Sequence, residues 1–130
     1  MKLSLPFVAW QNEDGVALLG FADDQFNTTQ YLVLQRTVDA TNQDRVLGQD
    51  KVYIQLNERS AYGDVQEAQL EEGRLVLRLD HATAAQIGNG ETIEVEFSRL
   101  TNLNSIASQL QLLIGSEHIR LVGGRKPGRD

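Results

Sequence analysis

The segment VQEAQLEEGRLVLRL, residues 65–79, carries the pattern that decides the fold. Its second half, residues 74–79, alternates leucine with arginine and valine, which is the period of a strand with one buried face. Its first half, residues 65–70, is read as a second strand-forming run. Glu71–Gly73 separates the two runs, and a three-residue loop with glycine in the left-handed conformation closes a β-hairpin. The segment therefore predicts two neighbouring antiparallel strands.

The same period recurs along the chain and predicts further strands. Pro6 cannot donate a ladder hydrogen bond, so its strand is expected at an edge or with a bulge. Asn12–Gly15 predicts a hairpin turn, and the nearly continuous apolar run 16–21 predicts a strand covered on both faces. Glu58–Gly63 is read as a polar turn. The predicted strands cover residues 3–7, 16–21, 31–36, 52–56, 92–97 and 118–122.

Two segments have a helical pattern. Apolar residues recur at spacings of three and four between Leu103 and Ile114, which predicts an amphipathic helix that ends at Gly115. Asp80 predicts the start of a short helix through Ile87, because its carboxylate can accept an orphan backbone N–H. Most other connections are short enough for hairpins, which imply antiparallel pairing.

The expected fold class is α+β: a curved, mostly antiparallel sheet of about seven strands packed against one main C-terminal helix, 103–114. Closure of the sheet into a barrel stays open. Residues 1–122 are expected to form a single domain and residues 123–130 a flexible basic tail. A nucleic-acid-binding arm is the alternative for this tail, but it lacks aromatic residues for stacking on bases.

Composition excludes several classes of protein. The chain has 130 residues, a formal net charge of -6 and no cysteine, so disulfides, thiolate metal sites and thiol nucleophiles are excluded. Hydrophobic residues make up 41%, which argues against intrinsic disorder. An acidic chain is a poor partner for nucleic acid and a good one for a basic protein, although the charge also serves solubility. Without a signal-peptide pattern or an apolar run of ~20 residues, we expect a cytoplasmic protein with no membrane partner.

Few residues suggest catalysis. Asp23, Asp24 and Asp44 could converge on a divalent cation or act in acid–base chemistry. Their alternative role is to satisfy backbone donors within turns. His81 and His118 are far apart in sequence and lie in no nucleophile motif. We therefore expect no enzyme activity, no cofactor and no metal.

Aromatic and acidic residues suggest binding instead. Tyrosine is frequent at interface hot spots, and Tyr31 and Tyr53 lie opposite the apolar faces of their predicted strands. The long polar connection 37–50 joins these two strands, and long connections in compact domains are often functional. Glu94 and Glu96 predict an acidic strand face, which is either solvated or directed at a basic partner. The remaining aromatic candidates are Tyr62, Trp10 and Phe26.

Several short pieces of the central block form a family pattern. They are FADD (21–24), YLVLQR (31–36), LGQD (47–50), YIQ (53–55), SAYG (60–63) and LVLRLD (75–80), which leads to IG (87–88). This pattern resembles family 10 of the immunity proteins of bacterial polymorphic toxin systems. The resemblance implies a cytoplasmic antitoxin encoded beside its toxin gene, which binds the toxin domain and blocks it by stoichiometric occlusion without turnover.

This hypothesis assigns partner-binding roles within the loops and the tyrosine-bearing strands. A nuclease is one candidate for the toxin, because a basic domain would suit an acidic inhibitor. A competing interpretation is that the arginine and aspartates support their own loops. Two other functions stay open: a small metal-dependent hydrolase or transferase that uses the loop aspartates, and a homodimeric structural or adaptor domain that pairs strand edges. The candidate interface residues are Asp23, Asp24, Arg36, Asp39, Asp44, Tyr53 and Tyr62.

Overall fold

The computed structural model describes residues 2–37, 51–88 and 90–121. These ranges contain ten strands, two α-helices and a short 3₁₀-helix at Ser116–His118. The α-helices are α1 (His81–Gln86) and α2 (Leu103–Ile114). The strands are β1 (Lys2–Ser4), β2 (Phe7–Glu13), β3 (Val16–Ala22), β4 (Tyr31–Thr37), β5 (Val52–Leu56), β6 (Arg59–Gly63), β7 (Val65–Glu71), β8 (Arg74–Leu79), β9 (Thr92–Glu96) and β10 (Ile119–Leu121).

The strands form two five-stranded sheets. The first sheet has the order β1-β9-β8-β7-β10, and the second has the order β2-β3-β4-β5-β6. The second sheet is an antiparallel meander, whereas the two edge pairs of the first sheet, β1 with β9 and β10 with β7, are parallel. The α+β class and the mostly antiparallel pairing are confirmed. The prediction of one sheet of about seven strands is wrong, because alternation shows which side of a strand is buried but not to which sheet it belongs.

Both sheets bury one face in a shared hydrophobic core. The rings of Phe21 on β3 and Phe97 just after β9 join the two sheets, with centroids 5.8 Å apart. Helix α2 has the predicted bounds, and it buries Ile106, Leu110 and Leu113. It contacts β3 and β4 of the second sheet and β7 and β10 of the first. The helix thus bridges two sheets instead of covering the face of one.

The chain passes from the first sheet to the second at Pro6. Before it, the Leu5 N–H donates to the Glu96 carbonyl at 2.8 Å; after it, the Ser98 N–H donates to the Pro6 carbonyl at 3.3 Å. The prediction of one strand over residues 3–7 is therefore wrong. Pro6 lies between two edge strands, where its missing N–H costs no ladder bond.

Two other local predictions need correction. Residues 16–21 do not form a strand covered on both faces, because buried and half-buried positions alternate along β3. Glu58–Gly63 is not only a turn, since Arg59–Gly63 forms the edge strand β6 beside β5. The β6 segment consists mostly of polar and small residues, a composition that is also typical of turns. Its Ala61 is nevertheless buried, which its neighbours along the chain do not reveal.

The hairpin and helix ends agree well with the sequence. Gly73 has a φ of 77°, as the left-handed turn position requires, although the β7–β8 loop has two residues because Glu71 pairs with Arg74. The Asp80 carboxylate accepts from the Thr83 N–H at 3.3 Å and begins α1. Gly115, with a φ of 86°, ends α2.

Candidate partner-binding surface

The side of the second sheet that points away from the core has almost no charge. We call it the outer face, and among its members only Glu13 is charged at neutral pH. Uncharged outer positions on several adjacent strands are typical of surfaces covered by another protein. The outer face consists of Phe7, Ala9, Gln11 and Glu13 on β2; Val16, Leu18, Gly20 and Ala22 on β3; Tyr31, Val33, Gln35 and Thr37 on β4; Tyr53 and Gln55 on β5; and Ser60 and Tyr62 on β6.

The outward side of the first sheet is the opposite in character. Arg74 donates to Glu94 at 2.9 Å and to Glu71 at 2.8 Å, and Lys2 lies 3.3 Å from Glu96. The bonds from Arg74 lower the pKa of Glu94, and the same bonds raise the pKa of Arg74. The acidic row predicted on β9 is therefore neutralised by neighbouring cations, so it presents little unpaired charge to a basic partner.

Tyrosines occupy the β4–β6 half of the outer face. Tyr53 and Tyr62 are directly opposite on neighbouring strands, with ring centroids 5.2 Å apart. Gln55 donates to the Tyr31 hydroxyl at 3.0 Å and lies between the tyrosines. Tyr62 is 50% exposed, so one side of this aromatic cluster faces solvent. Rigid, partly exposed tyrosines of this kind provide contact area at a low cost in side-chain entropy.

A hollow lies in the β2–β4 half of the outer face. Its floor is formed by Gly20 and Ala22, and its sides by Phe7, Tyr31 and Val33. It has a volume of about 360 Å³. The loop 23–30 forms the remaining wall through Asp24, Gln25 and Thr28. The hollow exists because Gly20, Ala22 and the facing Ala9 are small, whereas the residues around them are large.

The loop 23–30 is ordered by its two aspartates. Asp24 Oδ1 accepts from the Phe26 and Asn27 N–H groups, both at 2.9 Å. Asp23 accepts from the Thr29 hydroxyl and from the Thr29 and Gln30 N–H groups at 2.9 and 3.1 Å. These bonds lower the pKa of Asp23 to about 2 and also lower the pKa of Asp24. Both carboxylates are therefore ionised, and Phe26 is held at the tip, 92% exposed.

The structure brings together some of the predicted interface residues and separates others. Tyr53 and Tyr62 share the outer face, and Asp23 and Asp24 lie in the loop beside it. Arg36 points to the inner side of β4, where it donates to the Leu113 carbonyl at 3.2 Å near the end of α2. This contact agrees with the competing interpretation that the arginine supports the domain. Asp39 and Asp44 lie outside the described residues.

The aspartates have the turn role that was the alternative to a cation site. Within residues 2–37, 51–88 and 90–121, no group of three or more His, Asp or Glu side chains is placed to hold a metal ion. The third candidate ligand, Asp44, is not among these residues. The loop carboxylates accept hydrogen bonds from their own loop, as Asx-turn residues do.

A second cavity, of about 460 Å³, lies beside Arg36 at the opposite end of β4 from the loop 23–30. Its charged side chains bond to one another or to the backbone. Lys51 lies 3.6 Å from Asp64, and His118 lies 3.4 Å from Glu117 and 3.2 Å from the Gln66 carbonyl. Since these groups are already partnered, the cavity offers a ligand less than the outer face does.

Sequence reasoning missed Phe7, Gly20 and Val33 as members of a candidate surface. The available signal was the lack of charge at alternate positions of β3, β4 and β5, which were predicted as strands, whereas β2 and β6 were not. It could not be used, because a surface spanning β2 to β6 needs the strand order and register.

A sheet face with almost no charge, aromatic side chains and carboxylates at its border is suited to binding another protein. Residues 6–104, which contain the whole second sheet, match a family model described as immunity protein 10. The chain therefore belongs to the immunity protein 10 family, and the resemblance seen in the sequence is confirmed. Membership of this family implies a toxin protein as the partner. No curated protein matches the chain. None of the helices in the described ranges is long and apolar enough to cross a membrane.

Proposed function

We propose that this chain is a cytoplasmic antitoxin that binds the toxin domain of a bacterial polymorphic toxin system and neutralises it by stoichiometric occlusion. The observation that carries the proposal is the outer face of the second sheet. It lies within the segment that defines the family, and it combines low charge with exposed aromatic side chains. The proposed contacts are Tyr53 and Tyr62 on this face, with Asp23 and Asp24 at its border.

The distribution of charge supports this choice of surface. On the first sheet, acidic and basic side chains pair with each other. At the two ends of the outer face, Glu13 and Asp14 in one turn and Asp23 and Asp24 in the other form no ion pair with any residue in the described ranges. An apolar centre with an unneutralised acidic border is complementary to a partner with an apolar centre and a basic border.

The same complementarity favours a nuclease as the toxin. A domain that binds a phosphate backbone needs a basic surface. The acidic border would attract that surface and increase the rate of association, which protects a cell from a toxin made in the same compartment. Covering the basic surface also prevents the nucleic acid from binding, so inhibition needs no chemical reaction by the antitoxin.

Two experiments with the toxin domain encoded beside this gene test the proposal. Co-expression of the antitoxin should restore growth of cells that express the toxin domain. The purified proteins should elute as one complex whose mass by light scattering corresponds to a fixed stoichiometry. If the purified pair does not associate and co-expression does not rescue growth, the proposal is wrong.

The homodimer is the competing occupant of this region. β2 is a seven-residue edge strand with six exposed residues, whereas the edge strands of the first sheet have only three residues each. Long exposed edges can pair with another chain. If the antitoxin alone has a dimeric mass and the dimer persists when toxin is added, pairing between copies is favoured over toxin binding at this edge.

A further inference from the structure

We propose that the hollow beside Gly20 is the socket for an arginine side chain of the toxin domain, with Asp24 as its counter-ion. The inference rests on the proposed function and names one contact of that interface. The hollow provides both parts of an arginine site: apolar walls for the methylene stem and a carboxylate for the guanidinium group.

Gly20 makes room for the stem. A Cβ atom at this position would lie 3.9 Å from the nearest atoms of Leu18 and Val33, which is ordinary van der Waals contact. Gly20 is also absent from the glycines with positive φ, so its backbone does not require glycine. A strand normally favours a larger residue, and a glycine in a strand interior often marks close approach by another molecule. The missing side chain is thus the feature that keeps the hollow open.

The walls suit a guanidinium group better than an ammonium group. Phe7 and Tyr31 stand on either side of the floor, and Phe7 is 44% exposed. Arginine stacks its planar head on aromatic rings while its stem packs on apolar surface, and its head is less strongly hydrated than that of lysine. Arginine is therefore the basic side chain that uses all of the hollow.

Asp24 provides the charge. Its Oδ1 atom accepts two backbone N–H groups, but its Oδ2 atom accepts none from the residues that the structure describes. No lysine or arginine in those ranges lies within ion-pair distance of it. The carboxylate is held in place by the loop and keeps one oxygen available, which preorganises it for a charge-assisted hydrogen bond.

The other occupants fit less well. An aliphatic side chain would fill the floor but would leave the Asp24 charge beside an apolar group without a counter-ion. A second copy docking face to face would bring no cation, because none of the outer-face residues on the five described strands is lysine or arginine. The charge of Asp24 therefore selects a basic side chain from a different protein.

The test measures affinity for the purified toxin domain by calorimetry at low salt. Asp24→Asn keeps an oxygen for the loop N–H groups and removes the charge; Gly20→Val fills the floor. Asp24→Asn should weaken binding about 10- to 100-fold, the effect of losing a charge-assisted hydrogen bond, and Gly20→Val should weaken it by a similar factor because it excludes the arginine stem and with it the same bond. Two controls make the same changes elsewhere. Asp64→Asn alters an exposed carboxylate beside Lys51, and Gly90→Val extends into open space; both should bind like the wild-type protein.

The outcomes separate this inference from the function on which it rests. If the wild-type protein binds and both variants bind equally well, the socket is wrong and the antitoxin function stands. If the wild-type protein does not bind, both the arginine socket and the proposed antitoxin function are wrong. If Gly20→Val instead converts a dimer to a monomer without changing toxin affinity, the hollow belongs to a homodimer and the inference is wrong. Thermal melts verify that each variant is folded. If Gly20→Val lowers the melting temperature, the smaller substitution Gly20→Ala replaces it.

Discussion

Tyr53 and Tyr62 face each other across β5 and β6, with ring centroids 5.2 Å apart and ring planes inclined by 56°. In this tilted arrangement the two rings pack against each other, a geometry that aromatic pairs favour. Tyr62 keeps half of its surface exposed. The pair therefore presents an aromatic surface to a partner.

Tyr62→Ala is expected to weaken toxin binding by about 2 kcal/mol or more, which is about 30-fold in Kd, if Tyr62 is a hot-spot residue. Its effect on folding should be smaller, about 0.5–1.5 kcal/mol for the lost aromatic pair. Calorimetry with the toxin domain and chemical denaturation measure the two effects. Val76→Ala, on the outward side of the first sheet, is the control and should leave the affinity unchanged. Equal affinities of Tyr62→Ala and the wild-type protein would remove Tyr62 from the interface.

Gln109 is a buried polar residue, 3% exposed, on the core side of α2. Its amide nitrogen lies 3.2 Å from the Gln11 carbonyl, 3.0 Å from the Leu18 carbonyl and 2.8 Å from Asn12 Oδ1. Gln109→Met keeps the length of the side chain and leaves these acceptors without their donor. The free energy of unfolding should fall by about 1–3 kcal/mol.

Gln111→Met is the matched control, because Gln111 is an exposed residue on the same helix. It should change the free energy of unfolding by less than about 0.5 kcal/mol. Urea denaturation of both variants measures the difference. Equal stabilities of the two variants would show that the Gln109 hydrogen bonds do not stabilise the contact between α2 and the β2–β3 hairpin.

Gly63 and Gly20 are both strand glycines of the second sheet. The structure predicts that substitution by alanine destabilises the protein at Gly63 but not at Gly20. A Cβ atom at Gly63 would overlap the side chain of Thr83, with which α1 packs against β6. Gly63→Ala should therefore destabilise the protein by about 1–3 kcal/mol, as overpacking does. Gly20→Ala, whose Cβ has room, should not lower stability.

The melting temperatures of Gly63→Ala and Gly20→Ala test this contrast. Thr83→Gly in the Gly63→Ala background should recover part of the lost stability, because it removes the overlapping atoms. A Gly63→Ala variant as stable as the wild-type protein would mean that α1 does not pack closely on β6.

The stabilisation that Asp23 gives to its loop should depend on pH. Its pKa falls from 3.8 to about 2 because the Thr29 hydroxyl and two backbone N–H groups bond to its charged form. A group with a lowered folded-state pKa stabilises the fold above its unfolded-state pKa. This stabilisation disappears as the pH falls from about 4 to about 2.

The stability difference between the wild-type protein and Asp23→Asn should accordingly be largest above about pH 5 and shrink towards about pH 2. Thermal denaturation across this range measures it, and a carboxyl ¹³C NMR titration gives the pKa directly. The control is Asp64→Asn, for which no such loop bonds exist among the described residues. A difference that is constant with pH would contradict the hydrogen-bond network.

Local features of the fold could be predicted from neighbouring residues. The alternation of leucines at 74–79, the caps at Asp80 and Gly115, and the α2 bounds depend only on residues a few positions apart. Local sterics and hydrogen bonding determine such features, so the sequence pattern is sufficient. The polar edge strand β6 was missed because its burial depends on β5 and α1.

For the candidate surface, the sequence supplied the tyrosines and the loop aspartates but not their arrangement. Tyr53 and Tyr62 were chosen as separate aromatic residues, and only the β5–β6 register makes them a pair. Arg36 was chosen with them, yet it points to the opposite side of its sheet. Alternation along β4 already places Arg36 on the side of Leu32 and Leu34, whereas the pairing of Tyr53 with Tyr62 depends on the register between two strands.

The amino-acid sequence by itself determined the α+β class, the sides of most strands that are buried, the helix ends and the family. Each follows from residue chemistry within a short stretch or from a pattern of such stretches. Only the tertiary structure decided that there are two sheets, that β1 and β10 pair in parallel with distant strands, and that small residues on β3 open a hollow beside Asp24. These features depend on contacts between residues far apart in sequence. The free energy of such contacts cannot be inferred from the local sequence pattern.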